Sequence, residues 1–433
     1  MRPKMLRFLY SVALALLLPA ILFRLWWRGF GDARYREHVA ERFGFYTDAP
    51  ARKTIWIHAV SVGETRAAQP LVAALLARFP EHAILITSMT PTGRATANEI
   101  FAPLRATGRQ IIAAHVPYDL NFAIARLIKH FSPVMLIVME TEIWPNLMAS
   151  CRARDVPVAL VNARLSKRSA DRYQRLWPIT ALARNAVGRI NIVAAQTLDD
   201  AARFTALGAR KPAVTGNLKF DAVADKANLD LGARWREEAG TRTVLLAAST
   251  REGEEKLLIE AYRDHTSADF RARALLVIVP RHPVRCDEVA VLIAEAGFTF
   301  SRRSQSLPDG APIWLGDSMG ELVAYYALCD VAFIGGSLVP MGAHNLIEAA
   351  AIGKPILIGE SQFNFAEAAI QARAAGAALF VQDAAAWARA CVDLADDPAR
   401  RAAMGEAGRT FASAHRGATA KTVELVATLM AGA

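Results

Sequence analysis

The sequence predicts an α/β protein with two Rossmann-like domains behind an N-terminal membrane-anchoring helix. From about residue 54, short apolar runs alternate with amphipathic stretches, which is typical of βα units and parallel sheets. The alternation pauses near residue 215 and then restarts. Before it, sixteen residues without a charge separate Arg7 from Arg24. We expect an anchor over residues 1–30, one domain over 31–215 and a second over 216–433, whose last helix could pack back on the first domain.

The N-terminal apolar segment favours membrane attachment. A helix of its length covers about 24 Å, which is less than the roughly 30 Å of a bilayer core. Trp26 and Trp27, with arginines close behind, resemble an interfacial belt with a basic flank. No small-residue cleavage site precedes that flank, which disfavours a signal peptide. A tilted spanning helix and a helix sunk in one leaflet both remain open, and a buried core helix is the alternative without a membrane.

The net charge and the cysteine content indicate what kind of partner the protein binds and in what redox compartment it lies. The formal net charge of +10 suits an anionic partner, such as nucleic acid, acidic lipid or a phosphorylated substrate. The arginines are dispersed and no aromatic-interleaved basic stripe is present, which argues against nucleic acid. The four cysteines lie far apart without a CxxC pair. They predict neither a metal site nor a disulfide framework, and they favour a reducing compartment.

The predicted strands are apolar runs that are rich in β-branched residues. In the first half they are TIWIHAVS, AILITS, IIAAHVP, VMLIVME, VPVALVNA and INIVAAQ, and in the second RTVLLAAS, ALLVIVPRH, PIWLGD, DVAFIGGS, KPILIG and AALFVQ. They predict two sheets of about six strands each. Ligands bind at the carboxyl ends of strands in doubly wound sheets, so function is expected at the strand-to-helix turns around one cleft.

Two turns of the first half carry carboxylates. Glu64 follows the first strand in VSVGET, where Gly63 permits a tight turn. Its carboxylate could merely favour a helix dipole, or it could be a general base at the cleft. Glu140 and Glu142 directly follow VMLIV in METEIWP. Paired carboxylates suggest a metal, but the Asp-x-Asp pattern of metal-dependent sugar transferases is absent, so neither a metal nor a cofactor is expected.

Four turns of the second half carry anion-binding features. Ser249 and Thr250 offer hydroxyls after RTVLLAA, Arg281 follows ALLVIV, DSMGEL caps a helix, and Gly336 and Ser337 follow DVAFI. Each of these features alone occurs in many βα turns that bind nothing. Four at the same end of one sheet favour a nucleotide site, in which helix-terminal amides and an arginine receive a phosphate.

The stretch HNLIEA adds a carboxylate to an apolar helix. Glu348 could accept two hydrogen bonds from a ribose diol, or it could simply face solvent. GxGxxG and GxxxxGK[ST] motifs are absent, which argues against NAD enzymes and P-loop NTPases.

Taken together, SVGET, METEIWPN, NARLS, GNLKFD, PRHP, DSMGEL, GGSLV and HNLIEA resemble the 3-deoxy-D-manno-octulosonic acid (Kdo) transferases of Gram-negative bacteria over nearly the whole chain. The resemblance implies a glycosyltransferase-B fold and an enzyme anchored on the cytoplasmic face of the inner membrane. It implies inverting, metal-independent transfer of Kdo from CMP-Kdo to a tetraacylated lipid A precursor, lipid IVA, in lipopolysaccharide core biosynthesis. The implied partners are CMP-Kdo, the lipid A precursor and anionic membrane lipid, without nucleic acid.

The resemblance also assigns roles to residues. It makes Glu64 the general base, ionised near the dipole of its helix, and Glu140 and Lys219 the stabilisers of the transition state. It implies CMP contacts at Pro280, Arg281, Met319, Gly320, Glu321, Asn345, Leu346, Ile347 and Glu348. Contacts to the phosphate or carboxylate of the donor are expected at Ser249, Thr250, Gly336 and Ser337.

Two positions depart from the family pattern, and three other functions remain open. Arg251 stands where the family usually has histidine, and Ala343 replaces the second glycine of GGHNPLE. The nearest alternative is a glycosyltransferase that uses a UDP-sugar. A non-hydrolysing sugar-nucleotide epimerase shares the architecture but has no need of an anchor. A basic membrane scaffold without catalysis is the alternative from another class.

Overall fold

The computed structural model describes residues 3–47, 50–175, 177–221, 225–308 and 310–431. The chain divides into two compact units. Unit 1 comprises Met1–Ala222 and Arg416–Ala433, and unit 2 comprises Val223–His415.

The described residues of unit 1 form a parallel sheet and ten α-helices before the boundary with unit 2. Its strands are β1 (Thr54–His58), β2 (Ala83–Ser88), β3 (Ile111–His115), β4 (Pro133–Met139), β5 (Val158–Ala163), β6 (Ile192–Ala195) and β7 (Ala213–Val214). The helices are α1 (Pro3–Arg28), α2 (Val62–Ala67), α3 (Gln69–Arg78), α4 (Pro91–Ile100), α5 (Ala102–Ala106), α6 (Asn121–Phe131), α7 (Pro145–Arg152), α8 (Lys167–Arg175), α9 (Trp177–Val187) and α10 (Leu198–Ala206). Short 3-10 helices span Ala33–Arg36, Val39–Phe43 and Leu218–Asp221.

Unit 2 repeats this plan. Its strands are β8 (Thr243–Thr250), β9 (Ala274–Pro280), β10 (Phe300–Arg302), β11 (Ile313–Leu315), β12 (Val331–Ile334), β13 (Ile356–Ile358) and β14 (Ala378–Phe380). The helices are α11 (Lys226–Ala239), α12 (Glu254–Asp264), α13 (Ala268–Ala272), α14 (Cys286–Glu295), α15 (Leu322–Leu328), α16 (Ile347–Ile352), α17 (Ala366–Ala374), α18 (Ala384–Asp396) and α19 (Pro398–Ala414), with a 3-10 helix at Pro283–Arg285. The last helix of the chain, α20 (Ala418–Ala431), belongs to unit 1.

Both sheets are parallel and doubly wound. The strand order is β3-β2-β1-β4-β5-β6-β7 in unit 1 and β10-β11-β9-β8-β12-β13-β14 in unit 2. In each sheet the chain starts in the middle, builds one side and then crosses to the other. The topological switch points, where ligands of such sheets bind, therefore lie between β1 and β4 and between β8 and β12.

The predicted fold class is confirmed, and all twelve predicted strands are present in sheets of seven rather than about six. The sequence analysis did not predict β10 as a strand, and it treated β7 only as a strand-like run beside the domain join. These strands have three and two residues, which is too short for a periodic pattern to stand out. The predicted strands are recognisable because helices cover both faces of a parallel sheet, so that β1 is buried at all five positions.

The C-terminal helix α20 packs on the first sheet rather than on the unit that precedes it in sequence. Val423 and Val426 join the same apolar core as β1 and α3. The Asp221 carboxylate accepts hydrogen bonds from the amides of Gly417, at 2.7 Å, and Thr419, at the start of this helix. The C-terminal helix of the chain is therefore part of unit 1, and Asp221, near the end of the first segment of that unit, holds the start of this helix.

Among the described residues, α1 is the one helix long and apolar enough to cross a membrane, with a mean hydropathy of 2.1 over its most apolar window. One stripe of α1, which includes Leu14, Leu18 and Leu22, packs against Tyr118 and Leu120. Much of the remaining surface of the helix is exposed, including Phe8, Leu16, Leu17, Phe23, Trp26 and Trp27. Only 6% of the apolar window is buried, so α1 is not a core helix.

Candidate active site

The carboxylates predicted in unit 1 lie on both sides of its switch point. Glu64 is the third residue of α2 and lies in its first turn, after β1, and Glu140 directly follows β4. These two strands are hydrogen-bonded neighbours in the sheet. The turn that carries Glu64 and the turn that carries Glu140 thus meet at the edge where a doubly wound sheet binds its ligand.

Glu64 forms a reciprocal cap with Ser61 at the start of α2. The Ser61 hydroxyl accepts from the Glu64 amide at 3.3 Å and donates to Glu64 Oε1 at 2.9 Å. Glu64 Oε2 accepts from the amide of Val60 at 2.9 Å. The arrangement is a variant of the capping box of an S-x-x-E pattern, in which the carboxylate accepts from the Val60 amide rather than from the amide of the N-cap residue. A carboxylate has about four lone-pair sites, and the cap uses two of them, so capacity for a further proton donor remains.

Burial changes the titration of Glu64. The side chain is 7% exposed, and its removal from water raises its pKa to about 8. The Val60 amide lowers this pKa, whereas the negative charges of Glu140 and Glu142 add to the rise. The expectation that the helix dipole keeps Glu64 ionised is therefore wrong at neutral pH, because desolvation outweighs the dipole and the cap. A pKa near the working pH suits a general base better than an ordinary carboxylate pKa does.

Glu140 and Lys219 form an ion pair at the same edge. Lys219 Nζ lies 3.2 Å from Glu140 Oε1, and each side chain is about one-fifth exposed. The Glu140 amide continues the ladder by donating to Val161 at 3.0 Å, and the residue takes a left-handed φ of 53°. Lys219 is placed by Asn217, whose side-chain oxygen accepts from its amide at 3.0 Å. Residues 79 positions apart in sequence are thereby brought together.

The structure adds neighbours that sequence reasoning did not assign to the site. Glu142 accepts from Trp144 Nε1 at 2.9 Å, and burial raises its pKa. Trp144 packs edge-on against His58 with ring centroids 4.8 Å apart. Burial lowers the pKa of His58 to about 3, so this ring is neutral. The METE pattern carried a signal for Glu142, whereas the buried His58 lies in a strand and resembles an ordinary core position.

The predicted turns of unit 2 also meet at one edge. They follow β11, β9, β8 and β12, which are four consecutive strands of the sheet. The turns after β8 and β12 flank the switch point. There Gly335 lies so close to β8 that a Cβ would stand 2.5 Å from the Ser249 carbonyl oxygen, and only glycine fits.

Three of the four predicted donor contacts in unit 2 are engaged within the protein. Glu254 is fully buried and accepts from the amides of Gly336, Ser337 and Leu338 at 2.7, 3.1 and 3.0 Å. The prediction that the Gly336 and Ser337 amides receive a donor anion is therefore wrong, because the carboxylate of α12 already occupies them. The hydroxyl of Thr250 is likewise buried and donates to Glu255 at 2.9 Å. Ser249 is buried at a left-handed φ of 58°.

Removal of the Glu254 carboxylate should destabilise unit 2. Glu254→Ala leaves the three amides and that of Arg251 without their acceptor, and each buried unsatisfied amide costs about 1–3 kcal/mol. We expect the free energy of unfolding, measured by urea denaturation, to fall by about 3 kcal/mol or more. Glu252→Ala, at an exposed position of the same turn, should change it by less than about 0.5 kcal/mol. Equal stability of the two variants would contradict this assignment.

Two arginines and two histidines surround the ends of β8, β9 and β12. Arg251 Nη1 lies 2.9 Å from His282 Nε2. Burial, with the charges of Arg281 and Arg251, lowers the pKa of His344 to about 4 and also lowers that of His282. Within the described part of the chain, the buried His344 Nε2 has no hydrogen-bond partner. These four side chains form a cluster that a phosphate or carboxylate would stabilise.

The remaining predicted nucleotide contacts lie on two loops. On the first, Met319 is exposed, Gly320 has a φ of 78°, and Glu321 is paired with Arg303 at 3.0 Å. On the second, Asn345 donates to Glu348 Oε1 at 2.9 Å and accepts from the amide of Ile347 at 3.1 Å.

The second loop is fixed by buried apolar side chains and by backbone bonds. The side chains of Leu346 and Ile347 are buried, as is Pro280 at the end of β9. Ala343 holds the left-handed φ of 60° that its family glycine would adopt freely, at a cost of about 1–2 kcal/mol. The amides of Ala343 and His344 donate to Gly336 and Gly335 at 2.8 and 3.1 Å, which offsets that strain. The described residues include no group of three or more His, Cys, Asp or Glu side chains that could hold a metal ion.

Comparisons with known proteins place the chain in a class. The family model described as "3-Deoxy-D-manno-octulosonic-acid transferase (kdotransferase)" matches residues 37–222. A crystal structure of a glycosyltransferase from Rickettsia africae is 14% identical, covers 87% of this chain and 98% of its own, and has a TM-score of 0.56. Together with the two doubly wound parallel sheets, this likeness shows a fold of the GT-B type.

Two relatives narrow the class to a family. The 3-deoxy-D-manno-octulosonic acid transferase of Bordetella pertussis is 42% identical over 96% of this chain and 98% of its own length. That of Haemophilus influenzae is 37% identical over 98% of both. The chain belongs to the Kdo transferase family.

Proposed function

We propose that the chain transfers Kdo from CMP-Kdo to a sugar hydroxyl of a phosphorylated lipid A precursor, with inversion at the anomeric carbon. The observation that carries the proposal is the buried carboxyl of Glu64 at the switch point of unit 1, beside the ion pair of Glu140 and Lys219. Unit 1 binds the acceptor and unit 2 binds the donor in this account.

The reaction needs a base because a sugar hydroxyl has a very high pKa. In the proposed step the hydroxyl oxygen of the acceptor bonds to the anomeric carbon of Kdo while the bond from that carbon to the phosphate oxygen breaks. The hydroxyl proton passes to Glu64, and CMP leaves with the bonding electron pair. The cap from Val60 and Ser61 fixes the carboxylate, so little reorganisation is needed at the moment of transfer.

Lys219 supplies positive charge where the donor is negative. The Kdo carboxylate and the phosphate of CMP both carry charge through the transition state, and an ammonium ion held beside them lowers its energy. Glu140 acts by holding Lys219 in place at 3.2 Å. The two residues therefore work as one unit in this account.

The cationic turns of unit 2 fit the leaving group. Arg251, Arg281, His282 and His344 can stabilise the phosphate of CMP and the Kdo carboxylate. Glu348, held by Asn345, can accept hydrogen bonds from the two hydroxyls of the ribose. Glu348 is only half-buried, so its further desolvation by a ligand costs little.

The exposed apolar face of α1 supports attachment to the cytoplasmic face of the inner membrane, where the acceptor and anionic lipids are found. Trp26, Trp27 and Phe30 lie at the end of this face, and the guanidinium of Arg36 lies over the rings of Trp26 and Phe30 at 5.3 and 4.3 Å. Aromatic and basic side chains of this kind favour the headgroup region. A surface-bound enzyme meets a lipid substrate without extracting it from the bilayer.

A transfer assay tests the proposal directly. The full chain in lipid nanodiscs is supplied with CMP-Kdo generated in situ and with a tetraacylated, bisphosphorylated glucosamine disaccharide. Mass spectrometry should show the acceptor gaining Kdo, with CMP released in equal amount. CMP should also raise Tm more than UDP does, and Arg281→Gln should reduce this difference. A preference for UDP, together with an unmodified acceptor, would overturn the proposal in favour of a UDP-sugar enzyme.

A further inference from the structure

An apolar pocket lies in unit 1 beside the candidate active site. It has a volume of about 140 Å³. Its floor includes the buried side chains of Leu165 and Phe204, and its outer wall includes Ile179, which is 45% exposed. Core packing normally leaves few voids of this size, and an exposed isoleucine at the edge means that an apolar ligand can enter from solvent or from a lipid surface.

The pocket lies between the loop that begins with Glu140 and the helix that packs against α1. Thr141 and Ile143 line it, and both belong to the loop that begins with Glu140. On its other side, α9 contributes Leu182 and Ala183, and α9 packs against α1. An apolar chain that starts beside the membrane helix could therefore end beside the loop of Glu140.

The charge around the pocket fits a phosphorylated lipid. Tyr173 of α8 lines the pocket, and the same helix carries Lys167, Arg168 and Arg172 at exposed positions. A lipid with phosphate groups would place its charge near such cations while its chain enters the apolar interior. A neutral apolar ligand would gain nothing from these side chains.

We propose that this pocket binds the end of one acyl chain of the lipid acceptor and so positions the acceptor hydroxyl at Glu64. The inference rests on the proposed function, which supplies an acylated, phosphorylated acceptor. A cavity of about 150 Å³ holds a benzene molecule, so the volume here accommodates roughly six carbon atoms. Each buried methylene strengthens binding by about fourfold, and the pocket therefore contributes selectivity for chain length.

Filling the pocket tests the inference. Ala183→Trp places an indole where the chain would lie. For this variant we expect KM for the tetraacylated acceptor to rise at least about tenfold, with kcat within about twofold of wild type. For an acceptor with the same phosphorylated disaccharide but with acyl chains shortened by about six carbons, the KM values of wild type and Ala183→Trp should be equal. Unchanged KM values for both acceptors, or equal losses for both, would overturn the inference.

A second variant and a control cover the case in which the indole disturbs folding. Ile179→Glu adds a charge at the exposed edge and should produce the same selective rise in KM. Ala202→Trp, at an exposed position of α10 outside the pocket, should leave both KM values unchanged. If wild type transfers Kdo to neither acceptor, it is the proposed function that fails.

Photo-crosslinking distinguishes the acceptor from ordinary membrane lipid. An acceptor analogue with a diazirine at the end of an acyl chain should label peptides of α9 and α10 in nanodiscs, and Ala183→Trp should suppress this labelling. A phosphatidylglycerol analogue with the same diazirine should label α1 instead. Equal labelling of α9 and α10 by both probes would overturn the assignment to the acceptor.

Discussion

Glu64→Gln is expected to reduce kcat for Kdo transfer by about 10³-fold, while the fold of unit 1 and nucleotide binding persist. A positioned general base contributes roughly 10²–10⁴-fold, and glutamine cannot accept the proton at neutral pH. Its side-chain oxygen can still accept from the Val60 amide, so the start of α2 is kept. Turnover is measured by mass spectrometry, and binding by the CMP-induced rise in Tm.

Ser61→Ala separates the cap from the base. It removes the hydroxyl that accepts from the Glu64 amide, which should lower the free energy of unfolding by about 1 kcal/mol. The carboxyl of Glu64 remains, so transfer should stay within about tenfold of wild type. If both variants lose activity equally, the role of Glu64 is structural, and the base must be sought elsewhere.

The raised pKa of Glu64 also predicts a pH dependence of stability. The folded protein holds the proton up to about pH 8, whereas the unfolded chain releases it near its ordinary pKa of 4.5. The stabilising contribution of this group is therefore fully present below about pH 4.5 and is lost as pH rises through about 8. In urea denaturation, wild type should lose stability relative to Glu64→Gln between these values. Parallel curves for the two proteins would contradict the burial of this carboxyl.

Lys219→Met should lower kcat about 10²-fold, the second large effect that we expect. The change removes the positive charge but keeps an apolar side chain of similar length. Because Glu140 acts by holding Lys219, Glu140→Gln should give a smaller loss of about tenfold, and the double variant should resemble Lys219→Met alone. The kcat values of the two single variants and of the double variant are measured as steady-state rates at saturating donor and acceptor.

Lys226→Met provides the matched control. Lys226 lies seven positions further on, and its exposed side chain pairs with Asp230 at 2.8 Å within α11. This variant should leave kcat unchanged. Fully multiplicative losses for Glu140→Gln and Lys219→Met would show that the two residues act independently, contrary to the geometry of the pair.

Local sequence patterns predicted the fold and the position of Glu64. Buried parallel strands are continuous apolar runs, and the turns between them carry glycines and caps, so β1 and the start of α2 could be recognised without tertiary information. The S-x-x-E pattern of Ser61 and Glu64 was also visible. The roles of Glu140 and Lys219 came from the family resemblance, but their ion pair was not predicted, since no local pattern joins residues so far apart in sequence.

Two predictions, the anion site at Gly336 and Ser337 and the ionisation of Glu64, failed because they depend on side chains that only the tertiary structure brings close. The amides of Gly336 and Ser337 have the pattern of an anion site, but Glu254 reaches them from another helix across 82 and 83 positions of sequence. Glu64 has the helix position of an ionised carboxylate, but its burial and two neighbouring carboxylates raise its pKa. Neither effect can be deduced from spacing, because both depend on which elements pack together.

The pH dependence of kcat/KM for the acceptor tests the central claim most directly, because it reports the ionisation of the base in the free enzyme. With a pKa of about 8 for Glu64, kcat/KM should rise about tenfold per pH unit from pH 6 and level off above pH 8. The residual activity of Glu64→Gln should lack this limb. A wild-type profile that is flat from pH 6 to 9, or a limb that survives in Glu64→Gln, would contradict the assignment of Glu64 as the base.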